Sequence, residues 1–159
     1  MTTQLMVKMA LDNWNIRIKN ANDLFGKLTD EQLMSEISPG RNRGVYLMGH
    51  LTAVHDRLLS LLGFGERMYP HLDEAFETNP DKAIPLPVTI SELRTAWTTI
   101  NSTLTSHFEK MTADDWFKKH TSVSDEDFAK EPHRNKLNVI LNRTNHLAYH
   151  IGQAALLKK

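Results

Sequence analysis

The chain is 159 residues long, with 19 Lys and Arg against 19 Asp and Glu, eight His and no Cys. That length suits one domain of about 100–200 residues, and zero net charge speaks against a nucleic-acid binder. The missing cysteines exclude disulfides, Cys-ligated zinc, iron–sulfur clusters and a cysteine nucleophile.

In chain order, the first predicted helix runs from about Thr3 to Leu28, with Trp14, Ile18, Ala21, Phe25 and Leu28 on one stripe. Thr29 and Gln32 have the spacing of a capping box and announce a short helical turn. The run Ser38-Pro39-Gly40-Arg41-Asn42-Arg43-Gly44 reads as a loop. A second helix follows, from about Val45 to Leu62, with Leu47, Leu51, Val54, Leu58 and Leu61 on one face. Gly63-Phe64-Gly65 stops it. Four prolines between Gly65 and Thr89 leave no room for a long element. A third helix, capped by Thr89 or Ser91, runs from near Ile90 to about Lys110 through Leu93, Trp97, Ile100, Leu104 and Phe108. Residues 111–134 are polar, with one short helix expected over Ala113–Lys119. The last helix, about Asn135 to Lys158, carries Leu137, Ile140, Leu141, Thr144, Leu147, Ala148, Ile151 and Ala155 on its apolar side.

Helices of about 18–26 residues span roughly 27–39 Å, and four such rods with single apolar stripes make an all-α four-helix bundle. The long connections after helices two and three allow a crossover topology. One domain over residues 1–159 is the expectation. The methionines and the three Trp sit mostly at helical spacing and read as core. No segment approaches the roughly 20 apolar residues of a membrane span. The N-terminal stretch, broken by Asp12 and Asn13, is not a signal peptide, so a cytoplasmic protein is expected.

Histidine is the one anomaly of composition. His146 and His150 lie four apart on one helix face, the spacing that lets two imidazoles meet one ligand. Leu147-Ala148-Tyr149 between them lacks the glutamate of the HExxH zinc proteases. Both sit on a flank of the apolar stripe, aligned with Val139, Arg143 and Leu157, which suits a cleft between helices. His50 falls inside the apolar face of helix two, where an unpartnered imidazole costs about 1–3 kcal/mol. Two facing helices can therefore close a three-nitrogen site, and three His with an open position is a catalytic rather than a structural arrangement. The competing account is a satisfied core His50 and two rim histidines.

The segment Gly49-His50-Leu51, after a Pro-Gly loop, and the run Asn142-Arg143-Thr144-Asn145-His146-Leu147-Ala148-Tyr149-His150-Ile151-Gly152-Gln153 resemble the first histidine and the closing HxxxHxGQ signature of the DinB-like superfamily. The specific motifs cover about 20 residues, while helix order and length match over most of the chain. The resemblance implies an up-down-down-up bundle and a divalent metal, zinc or nickel, on His50, His146 and His150. It further implies frequent homodimers and, in some relatives, S-transferase or isomerase activity with a small thiol such as bacillithiol. The chain departs from the family at Arg41-Asn42-Arg43-Gly44, where a Trp and a Ser are usual.

Around this site, Tyr46 and Tyr149 are candidates to bond a group at the metal, and His55 to reach the same cleft. Arg41 and Arg43 are candidates to meet an acidic substrate or thiol. Asp125-Glu126-Asp127 lacks the Gly and Glu spacing of a calcium loop. His71, His107, His120 and His133 share no spacing with the three. The leading expectation is a divalent-metal-binding DinB-like protein with an open three-His site, whose reaction, where the family resemblance implies one, is metal-dependent thiol S-transfer to a small molecule or a related hydrolysis or isomerisation. The rival is a metal-binding or stress-related module without catalysis.

Overall fold

The computed structural model describes residues 2–158. Seven α-helices form: α1 (Thr2–Lys27), α2 (Asp30–Met34), α3 (Gly44–Leu61), α4 (Ile90–Phe108), α5 (Ala113–Trp116), α6 (Asp125–Lys130) and α7 (Lys136–Ala154). Pro70–Leu72 and Ala155–Leu157 add 3-10 turns, and Glu74–Thr78 winds as a π-helical turn. Among the described residues no strand forms, and extended pairing is limited to isolated bridges at Glu36–Arg43 and Lys119–Asn135.

The helix starts follow from local chemistry. The Thr29 hydroxyl accepts from the Gln32 amide while the Gln32 side chain accepts from the Thr29 amide, which satisfies two otherwise orphaned donors. Of the two candidates for α4, Thr89 is the cap, in a reciprocal box with Glu92. Gly63 ends α3 in the left-handed region at φ 76°, which only glycine adopts cheaply. The final helix is shorter than expected. It stops at Ala154 and tightens into a 3-10 turn instead of running on to Lys158. Residues 125–130 form a helix that periodicity did not predict, because α6 buries no side chain and so has no apolar stripe. Ser124 caps it, and Asp125, Glu126 and Asp127 fill its first turn, where negative charge is favoured.

One apolar cluster joins the long helices. Phe25 and Trp14 of α1 meet Trp97 and Phe108 of α4 edge to face, at 5.8 and 6.1 Å between ring centroids. Removing a buried aromatic of this kind costs about 3–5 kcal/mol. Trp14, Trp97 and Trp116 are core, as expected, but the methionines correct the reading. Met48 is buried, whereas Met6, Met9, Met34 and Met68 are exposed.

The segment after α3 is tied back across that helix. Asp56, fully buried, accepts from Arg67 Nε at 3.0 Å and from the Met68 amide at 2.8 Å. Arg67 also grips Asp73 through both terminal nitrogens, at 2.5 and 2.6 Å. These bonds hold Glu74–Thr78 against the middle of α3. Among the described residues no helix is long and apolar enough to cross a membrane.

Candidate metal centre

His50 from α3 and His146 and His150 from α7 converge, with their ligating nitrogens all within 4.8 Å of one another. His146 Nε2 lies 3.1 Å from His50 Nε2 and 3.1 Å from His150 Nε2. The cluster is partly buried, and the three rings stand nearly perpendicular to one another, at 65–85°.

Two rings are fixed from behind. His50 Nδ1–H donates to the Phe76 carbonyl at 2.9 Å, so its Nε2 lone pair faces the cluster. His150 Nδ1–H donates to Gln153 Oε1 at 2.7 Å. Gln153 Nε2 in turn donates to the Tyr149 hydroxyl at 3.1 Å. Outer bonds of this kind set the tautomer and aim of metal-ligating histidines. His146 has no such anchor; its buried Nδ1 is without a hydrogen-bond partner.

Burial disfavours protonation of the two histidines on α7. Burial, reinforced by the neighbouring His150, His50 and Arg143, pushes His146 down to about 3. Burial lowers His150 as well, against the opposing bond to Gln153. The arrangement therefore brings three imidazoles together, with at least two lone pairs aimed at one point. Facing lone pairs repel unless a proton or cation sits between them.

The donor set fits a divalent transition ion. Nitrogens about 2.0–2.1 Å from a tetrahedral zinc stand roughly 3.3 Å apart, close to the separations from His146. All three ligands are the borderline donors that such ions accept. The three-histidine cluster can hold a metal ion.

The other predicted residues take different places. Arg43 is not free for a substrate: its Nε and Nη2 grip Asp81, the shortest bond being 2.7 Å, and its amide donates to the same carboxylate. Asp81 thereby closes the start of α3 from a distant loop. Arg41 is exposed in the loop before it. Tyr46 lies parallel to the His50 ring at 6.4 Å and donates to the Asn79 carbonyl, so it braces the ligand from the side. Tyr149 is 64% exposed, stands edge-on to His150 at 5.1 Å and accepts from Gln153, the group behind that ring.

His55 corrects the expectation of a cleft position. It is fully buried between Trp14 and Trp97, with ring centroids at 4.9 and 5.1 Å. Its Nδ1–H donates to Asn101 Oδ1 at 2.7 Å, and Asn101 Nδ2 donates to the Trp97 carbonyl. Nε2 has no partner, and burial pushes the imidazole down to about 4. Of the remaining histidines, His107 stacks on Phe64 at 4.5 Å, and His71 sits in the Pro70–Leu72 turn.

Sequence reasoning did not assign Gln153, Phe76 or Gly49 a role. Gln153 was legible in part, since it lies three residues from His150 on the same helix face. The Phe76 carbonyl had no sequence signal, because a π-helical turn is set by packing. Comparison with models of known protein families gives no match to this chain, and comparison with curated proteins gives none either.

Proposed function

We propose that the protein binds one divalent transition ion, zinc or nickel, through Nε2 of His50, His146 and His150, as a member of the DinB-like superfamily. The observation that carries this reading is the convergence of three imidazoles, two of them aimed by the Phe76 carbonyl and Gln153. An up-down-down-up bundle belongs to the same reading. Gly44 at the start of α3 lies against Leu157 beyond α7, and Lys136 at the start of α7 stands over Phe64 beyond α3, which supports opposed directions for that pair. Arg94 near the start of α4 donates to the Phe25 and Leu28 carbonyls at the end of α1, which supports the same for α1 and α4. The pairs His55–Asn101 and Phe64–His107 support α3 and α4 running together.

The reaction class we assign is thiol S-transfer to a small molecule. An ion held by the three histidines supplies Lewis acidity that makes thiolate accessible at neutral pH. The thiol comes from a cosubstrate, because the chain has no cysteine. The protein's own residues hold two of the three nitrogens in aim, through the Nδ1–H bonds of His50 to the Phe76 carbonyl and of His150 to Gln153. A homodimer completes the proposal. Met6 and Met9 of α1 and Leu141 of α7 are exposed beside one another, an apolar strip that a second copy would cover.

Elemental analysis of untagged protein tests the site, with His50→Ala and His146→Ala alongside. About one transition metal per chain, lost in both variants, is expected. Protein that is free of metal and takes up neither zinc nor nickel on titration refutes the reading.

A further inference from the structure

One cation beside the cluster has no mate. Arg143 precedes His146 by three residues and His150 by seven, so all three lie on one partly buried flank of α7. Its guanidinium makes no hydrogen bond and no ion pair among the described residues. The neighbouring acids are already engaged: Glu77 pairs with Arg57, Asp73 with Arg57 and Arg67, and Asp56 with Arg67. Glu77 and Arg57 are the charges that Arg143 feels most, and its own charge is felt by His146 and His55.

A planar fork of donors that is partly desolvated and unpaired is suited to an oxyanion, which it binds through two parallel bonds. The geometry points to Arg143 as an oxyanion subsite: the small molecule that reaches the three histidines carries a carboxylate or similar group a few bonds from its metal-seeking atom. This deepens the metal-site reading and rests on it. Residues three apart share a side of the helix, which places Arg143 and His146 on one flank. The role of meeting an acidic ligand, expected of Arg43, passes to Arg143 because Arg43 is spent on Asp81.

The test uses the full chain loaded with cobalt(II), whose sulfur-to-metal absorption reports thiol binding without turnover. Two probes of one shape are compared, mercaptobutyrate and its uncharged amide, in wild type and Arg143→Gln. Wild type is expected to bind the carboxylate at least about tenfold more tightly than the amide, a ratio that falls to near one in Arg143→Gln. Taking the ratio of ratios cancels any direct grip of the carboxylate on the ion. An unchanged ratio in the variant overturns the subsite. So does a wild type that loads one cobalt per chain yet shows no preference or binds neither probe. Failure to load cobalt at all is the separate failure of the metal site, and the subsite falls with it. Should Arg143→Gln not fold, Arg143→Lys replaces it: a severalfold fall in the ratio supports the subsite, and an unchanged ratio overturns it.

Discussion

The ring of Phe76 occupies the space that a side chain on Gly49 would need, and the carbonyl of the same Phe76 accepts the Nδ1 proton of His50. A single missing methyl therefore lets the Glu74–Thr78 turn approach α3 closely enough to aim a ligand. Gly49→Ala must push this ring away. It is expected to destabilise the fold by about 1–3 kcal/mol and to weaken zinc binding. Thermal melting and competition against a chelating dye read the two effects. Unchanged zinc affinity would show that the Phe76 contact does not position His50.

Gln153 offers a cleaner separation of aim from stability, because it is partly exposed and outside the core. Gln153→Ala leaves His150 Nδ1 without its acceptor. Zinc affinity is expected to fall about 10–100-fold with little change in the melting temperature of metal-free protein. In wild type, zinc at a hundredfold over its Kd is expected to add about 2.7 kcal/mol of stability. His146→Ala should show no such gain.

The buried His55 makes the metal-free protein acid-sensitive. Its folded pKa, about 4, lies below the ordinary 6.5, so the unfolded chain binds the proton more readily. The stabilisation from the neutral ring is complete above about pH 6.5 and is lost as pH falls toward 4. Between pH 7 and pH 5 this group alone removes about 2 kcal/mol. His146 and His150 act in the same direction, so the comparison with His55→Gln isolates the contribution. Urea denaturation at both pH values is expected to show a smaller loss in the variant.

Asp81 serves α3 rather than the ligand site. Its carboxylate, 4% exposed, holds both the Arg43 guanidinium and the Arg43 amide. Asp81→Asn is expected to cost about 2–3 kcal/mol while leaving zinc affinity unchanged. A loss of zinc binding without a loss of stability would return Arg43 to the list of site residues.

The long helices were legible because burial on one side writes a 3.6-residue rhythm, and Thr29 marked the start of the short α2 through Gln32, three positions on. The His146–His150 spacing was legible for the same reason. What failed did so where that rhythm carries no information. α6 has no buried face, and Glu74–Thr78 takes its shape from Gly49 and from the ion pairs of Arg67. His55 was placed on a flank, which assumes a helix with one solvent side. α3 is instead covered by α2, α4, α7 and the 70–78 segment, so its flank is interior. Arg43 was read as free because its partner lies 38 residues away in a proline-rich stretch.

The two indoles that enclose His55 give the protein an optical property of its own. A protonated imidazole quenches indole emission on contact, whereas the neutral ring does so weakly. Trp14 and Trp97 both touch that ring, and Asn101 links it to the Trp97 backbone. Steady-state emission thus registers the arrival of a single proton deep between α1, α3 and α4, at a place that solvent quenchers such as iodide do not reach.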